Sequence, residues 1–540
     1  MNFQHDDSLP KDIRGYHRRT KHAPMRYALG PAFLDWTSQP SPYRLFAGSR
    51  QISLPLLRAE GTPHFPEAAP RPAPLDLDAL GLFLELAFGI SAWKSAEGST
   101  WALRNNPSSG NLHPTEAYLV LDALAGLGDH AGLYHYAPLA HALEERASYA
   151  VAGVLPPGGF LLGLSSIPWR EAWKYGERAF RYCQLDAGHA IGAAAQAAAA
   201  LGWRASVLPE PSDDDVADLL GLNRPDAAHR REAEHPDLLL WISAADAPPG
   251  ALDWRALTAA PPVWRGAANQ LSEDHDGWPL VDLAVRFCRK SRGGGEVEKN
   301  PSSAAPPLPP PPEFAGVTAA AAARRRRSAQ RFDGKAVMPL CPFLGMLGAV
   351  MPGAGPLMNA FPWTAGLTLV LFVHRVEGVE PGLYALERGA EASARFRAAA
   401  SSDFEWTPAG FEAPLFRLRG GSFEKEATRL SCLQAIAGKG CFSLAMIADF
   451  DRILDLCGDF GYRRLHWEAG LIGQALYLWA AAAGLAGTGI GCFFDDEVHA
   501  LLGLPETNAP FQDVYHFTVG APVEDARILT LPPYPEERWR

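Results

Sequence analysis

The stretch DDDVADLLGL at residues 213–222 recurs, with three changes, as DDEVHALLGL at residues 495–504. The same 282-residue offset relates three upstream matches without a gap. They are Phe180-Arg181 with Tyr462-Arg463, Asp186-Ala187-Gly188 with Glu468-Ala469-Gly470, and Gly202 with Gly484. Further upstream, LVL at 119–121 and GLY at 132–134 recur at 369–371 and 382–384, at a constant offset of 250. Chance does not hold two registers over this many positions, so the sequence predicts a tandem duplication.

The two copies are separated by SRGGGEVEKNPSSAAPPLPPPPEF, residues 291–314. Glycines, charges and a proline run cannot bury a core, which indicates an extended, semi-rigid linker. The sequence therefore predicts an N-terminal domain over residues 1–290, which includes an N-terminal extension, and a C-terminal domain over residues 315–540.

The bulk composition excludes several classes of partner. The 540-residue chain has a formal net charge of -11, with 47% hydrophobic and 20% charged residues. Nucleic acids and anionic membranes reward positive charge, so neither is expected as a partner. The seven cysteines are scattered without a C-x-x-C pair, which disfavours a zinc site and fits a reducing cytoplasm. Residues 1–22 contain no apolar core typical of a secretion signal, so we expect a cytoplasmic protein that holds no metal.

One uncharged stretch, residues 469–494, exceeds the ~20 residues needed to cross a bilayer. Gly and Ala dominate this stretch, Gln474 lies near its start, and four glycines interrupt the helical pattern in its second half. We therefore expect a buried core helix followed by a strand rather than a membrane span.

Each copy has an α+β pattern. Residues 75–90 place apolar side chains on one helical face, and residues 117–121 and 132–136 are typical of short strands. Residues 186–202, DAGHAIGAAAQAAAALG, predict a long helix of very small side chains. Such a surface suits the close approach of two helices at an interface, and the pattern leaves a plain alanine-rich core helix equally open.

A compact polar loop, RNNPSSGNLHP at residues 104–114, precedes the first of these strands. Ser108, Ser109 and Asn111 supply hydroxyl and amide groups for a polar, planar ligand, and Gly110 exposes the backbone. The same residue types are the commonest turn formers, so the pattern alone favours a simple turn.

Four consecutive arginines, residues 324–327, end an alanine-rich stretch and are followed by Ser328. Guanidinium groups bind phosphate bidentately, and a serine hydroxyl can complete such a site. A solvated basic helix end, favoured by the helix dipole, explains the same pattern. A targeting signal is disfavoured because the run leads directly into an apolar domain.

A third candidate is the pair Lys174-Tyr175 in WKYGERAFRY, residues 173–182. Two adjacent proton-transfer groups suit acid–base chemistry in a buried setting. Such a pair is more often a surface charge beside a half-buried aromatic ring.

Taken together, these motifs resemble the flavin-dependent nitroreductase superfamily and, within it, the SagB/ThcOx-type dehydrogenases. RRRRSAQRFDG resembles the family's Arg-Arg-Ser motif, and PSSGNLHP resembles its Pro-Ser-Ser-x-Asn loop. The two long helices, YGERAFRYCQLDAGHA and GYRRLHWEAGLIGQALYLWAAAAG, resemble the family's interface helix. Residues 16–46 are similar to the N-terminal lead of longer SagB-like proteins.

The resemblance implies an α+β fold that normally forms a homodimer with FMN at the subunit interface. One subunit holds the phosphate and ribityl chain with the Arg-Arg-Ser motif, and the other supplies the Pro-Ser-Ser-x-Asn loop. Here the motifs are divided between the copies, since GPLMNAFPW stands at the second loop position with Pro356 and Leu357 in place of the serines. We therefore expect two fused nitroreductase-like domains in an intramolecular pseudo-dimer, with one complete and one degenerate FMN site.

Site residues follow from the resemblance by position. The FMN-binding residues are Ser108, Ser109, Asn111, Arg326, Arg327, Ser328, Gln330, Ile490, Gly491 and Arg527. Gln330 stands where the family usually has Arg or Lys, which removes one charge from the phosphate site. Lys174 and Tyr175 resemble the catalytic pair of the azoline dehydrogenases, which oxidise peptide thiazolines or oxazolines and use molecular oxygen to reoxidise the flavin. Leu456 and Cys457 stand at the equivalent positions of the second copy.

The expected function is hydride transfer between flavin N5 and a heterocyclic substrate, for which a peptide azoline is one candidate. A second hypothesis keeps the fold and uses NAD(P)H to reduce nitroaromatics or quinones. A third, from another class, is a flavin-free scaffold that holds a modified peptide or a partner enzyme, which the missing motif parts and Gln330 suggest.

Overall fold

A computed structural model describes most of the chain. The described residues are 9–58, 61–224, 228–244, 252–291, 314, 316–411, 413–505 and 508–540. The predicted linker, residues 291–314, therefore lies outside the described residues except for its first and last positions.

The N-terminal copy is built on an antiparallel sheet with helices packed against it. Its helices are α1 Ile13–Arg19, α2 Leu77–Phe88, α3 Pro168–Tyr175, α4 Ala179–Ala200, α5 Asp213–Leu220 and α6 Pro279–Phe287. Its strands are β1 Phe46–Ala47, β2 Arg50–Ser53, β3 Ile90–Ala96, β4 Ser99–Arg104, β5 Thr115–Leu121, β6 Gly132–Ala137, β7 Ala142–Ser148, β8 Gly159–Ser166, β9 Arg204–Val207, β10 His235–Ser243, β11 Val263–Trp264 and β12 Ala267–Ala268. The main sheet has the order β11-β7-β6-β5-β8-β10-β9, with β2 also paired to β7.

The C-terminal copy repeats this arrangement. Its helices are α7 Ala319–Arg325, α8 Leu340–Ala349, α9 Gly355–Asn359, α10 Ala390–Ala399, α11 Glu424–Leu430, α12 Ala435–Lys439, α13 Phe450–Cys457, α14 Gly461–Ala482 and α15 Asp495–Leu502. Its strands are β13 Leu367–Val373, β14 Gly382–Leu386, β15 Thr407–Pro408, β16 Leu415–Gly420, β17 Phe442–Ala448, β18 Ala486–Ile490, β19 Gln512–Gly520 and β20 Leu529–Leu531. The order β16-β14-β13-β17-β19-β18 matches β7-β6-β5-β8-β10-β9 strand for strand, which confirms the predicted pair of α+β domains.

The two copies meet along the long helices α4 and α14. A Cβ atom built on Gly470 would lie 2.1 Å from the carbonyl oxygen of Leu185, and one on Gly188 would lie 2.4 Å from that of Trp467. Only glycine allows the two backbones to cross this closely. The small-residue pattern therefore marks the interface between the copies, which is one of the two alternatives that the sequence left open.

The repeated DD stretches take part in this interface. Arg181 Nη1 lies 2.9 Å from Asp495 Oδ1, and Arg463 Nη1 lies 2.7 Å from Asp213 Oδ2. In each of these buried ion pairs, the arginine of one copy contacts the aspartate of the other copy, and the two pairs involve the same two positions of the repeat. A twofold relation between the copies requires such reciprocal contacts. At the start of α5, Ser212 also caps the helix reciprocally with Asp215.

Both ends of the described chain cross between the copies. Tyr16 on α1 packs its ring between Phe180 and Tyr462, at centroid distances of 6.0 and 6.1 Å. Strand β20 leaves the C-terminal copy and pairs with β3, where it joins the β3-β4 hairpin in a three-stranded sheet. These exchanges make the pseudo-dimer a single interlocked unit.

The uncharged stretch at 469–494 forms most of α14 and then β18, as expected for a core helix followed by a strand. Among the described residues, no helix has the length and apolar character needed to cross a membrane.

Candidate active site

A cavity of about 550 Å³ opens between the two copies. The N-terminal copy contributes the 106–111 loop, strand β4 and helix α4, and the C-terminal copy contributes the 325–330 segment, α14, β18 and the chain after β19. Its wall includes Lys94, Trp101, Arg104, Asn106, Ser108, Ser109, Asn111, His113, Asp186, His189, Arg325, Arg326, Arg327, Ser328, Gln330, Tyr477, Thr488, Gly489, Gly491, Tyr515 and Asp525. The structure therefore brings the PSSGN loop and the arginine run, more than two hundred residues apart in sequence, to one cavity.

The polar loop is held in a tight conformation by its own side chains. Gly110 and Asn111 both have positive φ values, 61° and 62°, in the left-handed region. Asn111 Nδ2 donates to the carbonyl oxygen of Ala102 at 2.9 Å, and its Oδ1 lies 3.0 Å from His113 Nε2. The backbone N–H of His113 donates to Ser108 Oγ at 2.8 Å. The loop is thus a fixed turn that presents hydroxyl and amide groups to the cavity.

A buried carboxylate supports this loop from below. Asp186 on α4 accepts hydrogen bonds from the backbone N–H of Ser109, at 3.1 Å, and from the Ser109 hydroxyl, at 3.3 Å. Burial raises the pKa of Asp186 to about 7. Glu171 lies on the neighbouring helix α3, where its Oε1 accepts from the Ser108 hydroxyl at 3.4 Å. Burial and the nearby Asp186 charge raise the pKa of Glu171 well above its usual range.

Three of the four consecutive arginines reach the cavity wall, and the first does not. Arg324 forms an ion pair with the buried Glu85 of α2 at 2.8 Å, so it joins the two copies instead of extending into solvent. Arg326 is 3% exposed and donates to the carbonyl oxygens of Asn105 and Arg104, both at 2.8 Å. Arg327 donates to the carbonyl oxygen of Ser91 at 2.8 Å. These arginines therefore hold the loop and β3 of the other copy while they line the cavity.

Among the described residues, cationic side chains outnumber acidic ones on the cavity wall. In the described part of the chain, neither Arg326 nor Arg327 pairs with a carboxylate. Burial lowers the pKa of Arg326 to about 10, and burial together with the Arg326 charge lowers the pKa of Arg327 to about 10. Desolvated cations without an acidic partner are costly, and a bound anion would offset that cost.

Several buried polar atoms of the wall have no hydrogen-bond partner in the described structure. They are the donors Arg326 Nη1 and Arg104 Nε and the possible acceptors Asn106 Oδ1 and His113 Nδ1. Native proteins rarely leave such atoms unsatisfied, and a bound water, ion or ligand at the site would supply the missing partners. A ligand that carries phosphate, carbonyl and hydroxyl oxygens together with N–H donors would satisfy both kinds of atom, and FMN is such a molecule.

The remaining wall on the C-terminal side is a hydrogen-bonded cluster around Tyr477. Its hydroxyl lies 2.8 Å from Ser328 Oγ and accepts from the backbone N–H of Gly489 at 2.9 Å. The backbone N–H of Ala329 donates to the carbonyl oxygen of Gly487 at 3.1 Å, which holds the arginine segment along β18. Ser328 is therefore positioned beside this strand.

Lys174 and Tyr175 lie at the end of α3, directly against the polar loop. A Cβ atom built on Gly110 would lie 2.6 Å from Tyr175 Oη and 3.1 Å from Lys174 Nζ. Burial, followed by the Glu171 charge, raises the pKa of Tyr175 well above its ordinary value. The equivalent positions of the second copy are Leu456 and Cys457. Cys457 Sγ accepts a hydrogen bond from Arg464 Nη1 at 3.3 Å, and the side chain of Leu456 cannot transfer a proton.

The structure does not bring every expected residue to the cavity. Ile490 is buried in an apolar cluster of the C-terminal copy, while its neighbours Gly489 and Gly491 line the cavity. Arg527 has 78% of its side chain exposed and pairs with Asp525 at 2.6 Å, so only Asp525 reaches the wall. Gln330 lies on the wall, and the other expected FMN-binding residues do as well.

Sequence reasoning missed several wall residues, namely Lys94, Arg104, His113, Asp186, His189, Arg325, Tyr477 and Tyr515. For five of them a signal was present: Arg104 and His113 lie in the polar loop 104–114, Arg325 lies in the arginine run, and Asp186 and His189 are ionisable side chains within a helix of small residues. Lys94, Tyr477 and Tyr515 lie on distant elements, and no local pattern joins them.

Comparisons with known proteins agree with the duplicated architecture. The chain matches the Nitroreductase family over residues 71–229 and again over residues 361–521. A Methanocaldococcus jannaschii protein that carries the nitroreductase name is 35% identical over 63 residues, which are 12% of this chain. The match spans about a third, 32%, of that relative's length.

Among solved structures, a protein of Anabaena variabilis described as a nitroreductase covers 95% of this chain with all of its own length. Its TM-score is 0.67 and its identity 22%, so it shares the two-copy fold. A chain of the E. coli microcin synthetase McbBCD complex with truncated pro-MccB17 bound covers 45% of this chain and 85% of its own, at 19% identity and a TM-score of 0.25.

Proposed function

Because the chain belongs to the nitroreductase family, we propose that it is an FMN-dependent oxidoreductase of SagB type that acts on a heterocyclic substrate. The observation that carries the proposal is the cavity between the copies, where the PSSGN loop faces Arg326, Arg327 and Ser328. Both copies are needed to build it, as both subunits are in a homodimer with an interfacial cofactor.

The residues of the wall suit the two ends of FMN. Arg326 and Arg327, two cations without carboxylate partners among the described residues, would hold the phosphate with Ser328. Ser108, Ser109 and Asn111 supply a fixed set of hydrogen-bonding groups for the polar edge of the ring. Gly489 on β18 and Gly491 directly after it leave a surface without side chains. When bound, FMN supplies a hydride acceptor or donor at N5.

Lys174 and Tyr175 are our candidates for moving the substrate proton. Both polar groups adjoin Gly110, which lines the cavity, although neither Lys174 nor Tyr175 is itself among the lining residues. The buried carboxylates Glu171 and Asp186 lie near them; burial raises the pKa of both, to about 7 for Asp186, so Asp186 is able to hold a proton near neutral pH. The equivalent Leu456-Cys457 pair offers no such groups, so the proposed catalysis belongs to the first copy.

The first experiment is flavin binding by the full chain. We expect the purified protein to bind one FMN per chain, and Arg326→Gln and Ser108→Ala each to weaken binding although they lie in different copies. Charge-assisted phosphate contacts contribute ~1.5–3 kcal/mol, so Arg326→Gln should raise the Kd roughly tenfold or more, and Ser108→Ala should raise it severalfold.

The control is Arg71→Gln, an exposed arginine in the segment before α2, which should bind FMN like the wild type. Melting temperatures show whether each variant folds. If only one of the two site variants weakens binding, the site is not shared between the copies. A protein that binds no FMN would favour the scaffold hypothesis.

The second experiment separates the two reaction classes. With FMN loaded, Lys174→Ala should lower turnover of a peptide azoline at least about a hundredfold, the usual contribution of a positioned acid or base, without changing the flavin content. Activity toward nitroaromatics or quinones that requires NAD(P)H and survives this substitution would contradict the dehydrogenase proposal.

A further inference from the structure

A second cavity, of about 280 Å³, lies on another face of α14. Tyr477 of this helix faces the first cavity, whereas Ala475, Leu478 and Trp479 line the second. The rest of its wall comes from α8, from residues 65–67, from Gln196 on α4 and from residues 354–357. This last segment includes Pro356 and Leu357, which replace the two serines of the first copy.

The wall is apolar except at two side chains. Trp479 forms one side, and its ring packs edge-on against Phe65 at a centroid distance of 5.7 Å. Gly345 on α8 makes room for that ring, because a Cβ atom there would lie 2.3 Å from it. The charged side chain among the described lining residues is Glu67, which is exposed to solvent. A negative charge at the edge disfavours an anionic occupant.

Gln196 is the second polar side chain of the wall. It is the single polar residue in the run AAAQAAAA, it is 3% exposed, and its Nε2 has no hydrogen-bond partner among the residues that the structure describes. Its counterpart in the other copy is Leu478, which lines the same cavity. An unsatisfied buried amide is costly, so leucine would serve the fold better at both positions.

A trapped water molecule is a poor explanation for this amide. A buried water needs two to four polar partners, and this wall offers few. A ligand with one acceptor oxygen and an apolar body satisfies the amide and covers the apolar wall together.

We propose that this cavity binds a neutral, largely apolar small molecule whose acceptor oxygen, such as a ketone or amide carbonyl, receives a hydrogen bond from Gln196 Nε2. The volume suits a molecule of one or two rings, with a flat face against Trp479. This site does not depend on FMN, because it shares no lining residue with the first cavity.

Binding of two matched probes to the full chain tests the proposal. By equilibrium dialysis, 2-acetylnaphthalene should bind at one site per chain, and tighter than 2-ethylnaphthalene, which has the same shape and no acceptor. Gln196→Leu should weaken binding of the ketone about tenfold and leave the hydrocarbon nearly unchanged, as expected for one lost hydrogen bond. Ala349→Phe, which fills the cavity, should abolish binding of both probes.

The proposal is overturned if Gln196→Leu binds both probes as the wild type does, or if Ala349→Phe leaves binding intact. A second measurement is independent of any ligand. Gln196→Leu should raise the melting temperature of the probe-free protein, whereas Gln474→Leu should lower it, because Gln474 Oε1 lies 3.3 Å from His189 Nδ1 in a hydrogen bond. A lower melting temperature for Gln196→Leu would mean that its amide has a protein partner, which contradicts the proposal.

Discussion

The duplication creates two equivalent positions between the copies, the first beside strand β18 and the second beside its counterpart β9, and the two positions differ in structure. At the first, Thr488 and Gly489 of β18 line an open polar cavity. At the second, the equivalent strand is β9, and the backbone N–H of Val207 donates to the carbonyl oxygen of Ala360 at 2.9 Å. The chain that follows α9 therefore lies directly on the strand, in the place that the cavity takes in the first copy.

The buried charges differ in the same way. Glu468 is the counterpart of Asp186 in the repeat, and it forms a buried ion pair with Arg388 and accepts from the backbone N–H of Gly366 at 2.9 Å. Asp186 has no ion pair in the described residues, and it faces the loop and the cavity instead. Glu468 thus stabilises the fold, while Asp186 remains available to a ligand. The comparison shows that the second position contributes to the stability of the fold, whereas the first is open to a ligand.

The largest expected effect is a loss of stability on removal of the buried ion pair at the second position. Arg388→Ala leaves Glu468 as an unpaired charge in a site where both side chains are only 2% exposed. Removing one partner of a buried pair costs about 3–5 kcal/mol, so the free energy of unfolding should fall by that amount in a denaturant titration.

The control for this prediction is Arg58→Ala, which removes the exposed pair of Arg58 with Glu536, at 2.6 Å, and should cost less than about 1 kcal/mol. Equal losses for the two variants would show that the buried pair is not what distinguishes the second position.

A smaller loss of stability is expected for a substitution at the point where helices α4 and α14 cross, between the two positions. Gly470→Ala places a methyl group 2.1 Å from a backbone oxygen of α4, so the helices must separate. Such overpacking costs about 1–3 kcal/mol in unfolding free energy, measured by the same titration. Gly420→Ala is the matched control, because a Cβ atom there has open space and should change stability by less than about 0.5 kcal/mol.

The repeat predicted the paired domains because elements at a constant offset must fold alike, and helices α4 and α14 obey that offset residue for residue. The family resemblance correctly predicted that the PSSGN loop and the arginine run share one site. It did not predict which side chains of these segments line the cavity. Ile490 shows the reason: its neighbours Gly489 and Gly491 line the cavity, while its own side chain is buried in the apolar cluster of the C-terminal copy, and the motif contains no signal for that difference.

The arginine run shows a second limit of sequence reasoning. Ion pairs and backbone contacts between distant segments depend on how the copies dock, which no local pattern encodes. Arg324 therefore could not be assigned to Glu85, nor Arg326 to the carbonyl oxygens of the facing loop.

The last prediction sharpens the comparison through pH. Burial raises the pKa of Asp186 to about 7, whereas an unfolded aspartate titrates near 4. Between these values the folded protein binds a proton that the unfolded chain releases, so stability falls as pH rises from about 4 to about 7. Asp186→Asn removes this contribution, and its free energy of unfolding should decline less steeply than that of the wild type, by up to about 1.4 kcal/mol per pH unit.

The measurement is a set of denaturant titrations of the FMN-free protein between pH 5 and pH 8. Asp237, whose pKa burial raises to about 6, contributes a similar decline to both proteins, so the difference between them reports on Asp186 together with Glu171, whose pKa the Asp186 charge raises. Parallel curves for the two proteins would mean that Asp186 is already ionised at pH 5. The first position would then hold a fixed negative charge beside the loop, and the contrast with the paired Glu468 would rest on the ion pair to Arg388 alone.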